Sequence, residues 1–174
     1  INHESLIATK SNRIKRAAKG RAVMEFGARR AQGIDASVYG AKASYIAGID
    51  GTSNVLTGKL FNIPVLGTMA HSWVQMFDTE LEAFKAFAKS FPNNCVLLVD
   101  TYNTLQSGIP NAIKTFDEIL KPMGIRPKGI RLDSGDLAYL SKQARKMLDN
   151  AGYEDAQIVV SNSLDEYTIR DLLH

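Results

Sequence analysis

The chain has 174 residues, 45% of them hydrophobic and 22% charged. Those are the proportions of a soluble globular domain, and at roughly 100–200 residues per domain the length allows one domain and hardly two. Lysine plus arginine outnumber aspartate plus glutamate by 21 to 18, a net +3, which is too small to imply nucleic acid and suits an anionic small ligand equally well. The single cysteine, Cys95, excludes an intrachain disulfide framework and a cysteine-only zinc site. No apolar run approaches the ~18 residues of a membrane span, and no signal-peptide pattern opens the sequence. The chain therefore reads as cytoplasmic, with no membrane or nucleic-acid partner. It begins at Ile1 rather than Met and stops at His174 inside a helical pattern, which reads as a piece of something longer.

In chain order, residues 2–19 have helical spacing and end at Gly20, a natural helix-terminating glycine. Lys10, Arg13, Lys15, Arg16 and Lys19 read as a solvated face, because no aromatics interleave them; a nucleic-acid arm is the other reading. A strand is expected over 22–26, then a helix over 36–47 capped by Asp35, then a short helix after Ser53. Residues 62–67 read as a strand opened by Pro64. An amphipathic helix follows over 79–90, with Leu81, Phe84 and Ala88 on its apolar stripe. Residues 95–100 form the clearest strand, apolar throughout, as in a parallel sheet buried on both faces. Cys95 at its start reads as an inert buried thiol. Pro110 opens a helix, 128–132 is a strand, 136–150 a helix closed by Gly152, and 157–160 a strand. Ser163 and Glu166 have the spacing of a capping box for a last helix.

Strands alternating with helices predict parallel βα units, as a doubly wound sheet or a barrel. In both, ligands bind where the strands end, so the residues after each strand matter most. Phe26-Gly27-Ala28-Arg29-Arg30 follows the first, Gly67-Thr68-Met69-Ala70-His71 the second, and Asp100-Thr101-Tyr102-Asn103 the third. Arg131 lies on the fourth, which Asp133-Ser134-Gly135-Asp136 follows, and Ser161-Asn162-Ser163 follows the fifth. His71, after a Gly-Thr turn, is a candidate general base or phosphoryl-accepting nucleophile. His3 and His174 read as solvent-exposed. Asp100 is the candidate to orient His71; its other reading is a turn cap. Arg29, Arg30 and Arg131 have the guanidinium fork that suits carboxylate or phosphate, although Arg30 also fits a solvated surface. Asp133 and Asp136 could hold sugar hydroxyls or a hydrated Mg²⁺, with a helix cap as the alternative for Asp136. No direct metal-ligand set is read. The P-loop, GxGxxG, HExxH, GxSxG and CxxC signatures are absent.

The stretches EFGARRAQG (Glu25 to Gly33), DGTSN (Asp50 to Asn54), GTMAHSWV (Gly67 to Val74), DTYNTL (Asp100 to Leu105) and RLDSGDL (Arg131 to Leu137) stand in one order along most of the chain. Together they resemble the nicotinate phosphoribosyltransferase family. That resemblance implies a fold of parallel βα units forming part of an irregular α/β barrel of the type II phosphoribosyltransferase kind. Residues 1–174 would then be a partial catalytic domain without the N-terminal domain and the later part of the barrel. It implies transfer of phosphoribose from phosphoribosyl pyrophosphate to nicotinate, giving nicotinate mononucleotide in the first step of NAD salvage from nicotinate. ATP as co-substrate and Mg²⁺ would be needed, with His71 phosphorylated and Asp100 orienting it. Phe26 would stack on the pyridine, Thr68 and Arg131 contact nicotinate, Arg29 contact phosphate, and Asp133 contact ribose or pyrophosphate. Ser53 stands where nicotinamide-specific relatives carry an acid, and an uncharged hydroxyl there suits a carboxylate substrate. The family pattern also implies a homodimer and an isolated segment that is inactive. Asn103 departs from it, standing where an aspartate is expected. A nicotinamide- or quinolinate-type transferase and a non-catalytic half-barrel holding a phosphorylated ligand remain the alternatives.

Overall fold

The structure is a computed structural model that describes residues 1–173. The chain divides into two compact units: Ile1–Gly67 with the stretch from Leu164 onward, and Thr68–Ser163. His174, expected to be exposed, lies outside the described residues.

The first unit opens with α1 (Asn2–Ala17), which leaves the helix through left-handed Lys19 and Gly20. Two-residue strand β1 (Met24–Glu25) occupies the middle of the expected 22–26. Helix α2 (Ile34–Ile46) starts one residue before Asp35. Asp35 is therefore not its cap; Gly33, at φ +97°, holds the N-cap position, and Asp35 sits in the first turn, where its charge suits the helix dipole. Strand β2 (Gly51–Thr52) pairs parallel with β1, in the register Met24 to Gly51 and Glu25 to Thr52. Sequence patterning does not find β2, which has no apolar run. The expected strand over 62–67 reduces to one parallel bridge, Val65 to Thr52. Helix α3 (Val55–Phe61) is capped by Asn54, whose side chain accepts from Thr57 N–H. Helices α1 and α2 meet through a buried Ser11–Ser44 hydroxyl bond of 2.9 Å.

The second unit carries α4 (His71–Val74) and α5 (Glu80–Ser90), the latter with a reciprocal capping box between Thr79 and Glu82. Its sheet is parallel and in chain order: β3 (Val96–Leu98), β4 (Gly129–Leu132) and β5 (Gln157–Val160). Helix α6 (Ile109–Thr115) follows β3, and α7 (Leu137–Asn150) follows β4. Wider π-type turns flank α6 at Thr104–Gly108 and Phe116–Leu120. Leu97, Leu98 and Val99 are fully buried with Phe84, Phe116 and Ile130, as the continuous apolar run predicts. Cys95 is buried in the same core, and burial pushes its thiol up to about 12, consistent with an inert packing residue. Gly108 has no room for a side chain, since a Cβ there would lie 1.8 Å from the Val99 carbonyl oxygen.

The chain returns to the first unit through α8 (Glu166–Leu172). Its cap is Asp165, which accepts from Tyr167 and Thr168 N–H while Thr168 answers the Asp165 N–H. This corrects the Ser163–Glu166 capping box: Ser163 is left-handed at φ +52°, whereas an N-cap needs extended backbone. Glu166 is instead buried against α1, paired with Lys10 at 2.5 Å and Arg13 at 2.8 Å. Of the four basic residues within α1, Lys10 and Arg13 thus pair with Glu166 and Lys15 pairs with Asp50 at 2.6 Å, so the face is only partly a solvated one.

Candidate active site

The strand ends of the second unit bring five of the candidate residues together. Thr68 and His71 come from the start of the unit, Asp100 from just beyond β3, Arg131 from within β4 and Asp133 from just beyond it. The register that places Leu98 beside Arg131 sets the side chains after β3 next to those after β4.

Asp100 is the hub. Its side chain is 1% exposed and both oxygens are used. Oδ1 lies 3.0 Å from His71 Nε2. Oδ2 accepts the Asp133 N–H at 2.7 Å and the Ser134 hydroxyl at 2.6 Å. A carboxylate held by a backbone donor cannot swing away from the imidazole, and with His71 as donor it fixes the tautomer with Nε2 protonated. His71 Nδ1 is then the nitrogen with a free lone pair. It lies 3.9 Å from Asp133 Oδ2, and the ring is 38% exposed, so a ligand can reach it. His71 opens α4, a single helical turn.

Arg131 projects from β4 with its side chain 13% exposed. Its Nη1 donates to Thr68 Oγ1 at 2.8 Å, its Nη2 to Asp133 Oδ1 at 2.9 Å, and its Nε to Ser161 Oγ at 2.9 Å. The Ser161 hydroxyl donates in turn to Asp133 Oδ1 at 2.5 Å. Burial opposes ionisation of Asp133, but the Ser161 hydroxyl bond and the Arg131 guanidinium outweigh it and hold the carboxyl below its usual range. Asp133 is thus charged at neutral pH.

Asp136 takes the capping alternative, its Oδ1 accepting Tyr139 N–H at 2.9 Å to start α7. Asn103 caps the turn after β3, its Oδ1 accepting Gln106 N–H at 2.9 Å. An aspartate would accept the same bond, so the departure at this position leaves the local fold intact. Ser134 and Ser161 carry no pattern that marks them in the sequence; only their position just beyond a strand does.

The first unit carries Phe26, Arg29 and Ser53. Glu25 organises this loop: its Oε2 accepts the Thr52 hydroxyl at 2.6 Å, its Oε1 the Gly27 N–H, and its carbonyl the Ser53 N–H at 3.0 Å. Phe26 is half-buried, while Arg29, on a single 3₁₀ turn (Ala28–Arg30), and Ser53 are exposed.

Mg²⁺ fits this chemistry only as a shared, hydrated ion. Both Asp100 oxygens are already engaged and Asp133 offers Oδ2, so an ion that keeps most of its ligands as water fits these residues best. No cluster of three or more histidine, cysteine or carboxylate side chains suited to a metal occurs among the described residues. No helix among them is long and apolar enough to cross a membrane.

The sequence model of the "Nicotinate phosphoribosyltransferase (NAPRTase) family" matches residues 21–174. The nicotinate phosphoribosyltransferase of Bacillus subtilis (strain 168) is 53% identical over 174 residues, covering 99% of this chain and 34% of the relative. That of Dictyostelium discoideum is 39% identical over 215 residues, covering 97% and 36%. The crystal structure of human nicotinic acid phosphoribosyltransferase superposes with a TM-score of 0.89 at 31% identity, covering 99% of this chain and 45% of that one. The chain thus spans about a third of the length of the curated relatives it matches. With parallel strands in two sheets and the family's motifs at the strand ends, the chain belongs to the nicotinate phosphoribosyltransferase family.

Proposed function

We propose that this chain carries the phosphoryl-accepting and ribose-side part of a nicotinate phosphoribosyltransferase, which joins nicotinate to phosphoribosyl pyrophosphate at the expense of ATP and starts NAD salvage from nicotinate. The observation that carries the reading is the His71–Asp100 pair, with Nε2 tied to a buried carboxylate and Nδ1 open to a ligand. In the phosphorylation step Nδ1 attacks the terminal phosphorus of ATP, the N–P bond forms, the P–O bond to ADP breaks, and the electron pair leaves with ADP. The Nε2 proton stays in place, and Asp100 offsets the positive charge that the ring acquires. Asp133 Oδ2, together with water and phosphate oxygens, would hold Mg²⁺, which would supply charge neutralisation for the phosphate groups when bound.

Arg131, held by Thr68, Asp133 and Ser161 among others, supports recognition of the pyridine carboxylate together with Thr68. Phe26 stacks on the pyridine, Arg29 holds phosphate, and Ser53 keeps the approach to the carboxylate free of negative charge. Asp133 faces ribose or pyrophosphate, with Asp136 alongside through its uncapped oxygen. The full-length protein is expected to act as a cytoplasmic homodimer, with the isolated 174-residue segment inactive.

The test is incubation of the full-length protein with labelled ATP. Acid-labile, base-stable phosphate on the wild type, absent in His71→Ala, is expected, together with nicotinate mononucleotide formed from nicotinate and phosphoribosyl pyrophosphate. Asp100→Asn is expected to slow labelling by on the order of 10²–10⁴-fold, through the wrong tautomer. Equal labelling of His71→Ala and wild type overturns the role of His71. Absence of the mononucleotide overturns the activity.

A further inference from the structure

We propose that Ser161 is a positioning residue that keeps Arg131 and Asp133 from closing into a two-pronged ion pair, and so leaves Asp133 Oδ2 for the reacting groups. The inference rests on the reading of this site as a phosphoribosyl-transfer centre. A guanidinium beside a carboxylate favours the bidentate arrangement, two parallel N–H···O bonds that use both oxygens. Arg131 and Asp133 do not adopt it. The Nε edge of Arg131 is spent on Ser161, so only Nη2 reaches Asp133, and it reaches Oδ1. Ser161 donates its one proton to that same Oδ1 at 2.5 Å. Two donors therefore converge on one oxygen while Oδ2 stays turned to His71 Nδ1, 3.9 Å away.

Ser161 can do this because the sheet holds it. Its N–H donates to the Leu132 carbonyl at 2.9 Å, extending the β4–β5 ladder one step past Val160. The hydroxyl is thus delivered by strand register, level with the residue that precedes Asp133. With one proton and two lone pairs, a hydroxyl can accept from Arg131 and donate to Asp133 at once; a methyl cannot reproduce that wedge.

The test uses the full-length protein with Ser161→Ala and the equal-shaped pair Ser161→Thr and Ser161→Val. Ser161→Ala and Ser161→Val are expected to lose about tenfold or more in kcat/KM for phosphoribosyl pyrophosphate, the scale of a lost hydrogen bond to a charged group. Ser161→Thr is expected to stay close to wild type. Crystal structures read the device without any activity: in Ser161→Val, Asp133 should turn to meet Nε and Nη2 of Arg131 with both oxygens. Comparable rates for Thr and Val, or an Asp133 that keeps its orientation without the hydroxyl, overturn the role of Ser161. Loss of nicotinate mononucleotide synthesis in the wild type overturns the activity instead, and leaves the Asp133 orientation as the readout for Ser161. The Thr–Val contrast decides the matter even where Ser161→Ala does not fold.

Discussion

The two units solve the same problem of presenting polar side chains in different ways. In the second, Asp100, Arg131, Asp133 and Ser161 hold one another in a closed set of hydrogen bonds at the end of a three-stranded sheet over a large core. In the first, Arg29 and Ser53 follow two-residue strands, and the ordering is done by the backbone and by Glu25, which they flank. Arg29 makes no ion pair among the described residues. The groups of the second unit, whether proposed for bond-making or for recognising the pyridine carboxylate, are preorganised; Arg29 and Ser53 of the first are left to be ordered by what they bind. Preorganised groups lower a barrier without moving, whereas exposed ones trade ordering cost for adaptability.

Three substitutions sharpen this contrast. The largest effect is expected from Gly108→Ala, which drives a Cβ into the Val99 carbonyl just before Asp100. A backbone oxygen in a packed core cannot step aside, so denaturant unfolding should show a loss of about 3 kcal/mol, and an unaltered midpoint would show that the helix–strand contact is soft. Next comes Ser53→Asp in the first unit. It is expected to leave stability unchanged while shifting the ratio of kcat/KM for nicotinate to that for nicotinamide by about tenfold against nicotinate, through like-charge repulsion. An unchanged ratio removes Ser53 from the specificity argument.

The smallest effect belongs to Glu166→Gln. The Lys10 hydrogen bond, aided by Arg13, holds Glu166 below the usual carboxylate range. Its folded pKa lies below the unfolded one, so its stabilising effect is complete above about pH 4.3 and fades as pH falls through the lowered folded value. The melting temperature of Glu166→Gln should therefore sit slightly under wild type at pH 7 and converge with it in acid. A gap that widens in acid contradicts the pairing.

How much of this could be read from sequence followed strand length. The apolar runs of β3, β4 and β5 are long enough to announce themselves, and with them the residues just beyond, His71 excepted, which its Gly-Thr turn marks. Of the two-residue strands, β1 is legible as the middle of the apolar stretch 22–26, whereas β2 carries no apolar run to mark it. Thr52 is buried and its hydroxyl is bonded to Glu25, which no pattern reveals. At α8 two capping frames overlap, Ser163 with Glu166 and Asp165 with Thr168, and the choice between them is made by α1, whose Lys10 and Arg13 claim Glu166. Ser161 is one serine among several beyond a strand, and only the register of β5 against β4 shows what its hydroxyl meets.

Asp100 also stitches the sheet. Past Leu98 the β3–β4 ladder has only the Val99 N–H to Arg131 carbonyl bond left, and the Asp133 N–H then finds its acceptor in the Asp100 side chain. The carboxylate takes over where the main chain stops pairing. A lineage that abandoned the chemistry would still need an acceptor at this position, and the cheapest survivor is asparagine. An asparagine here in an inactive relative would therefore be a structural fossil of the aspartate proposed to orient His71.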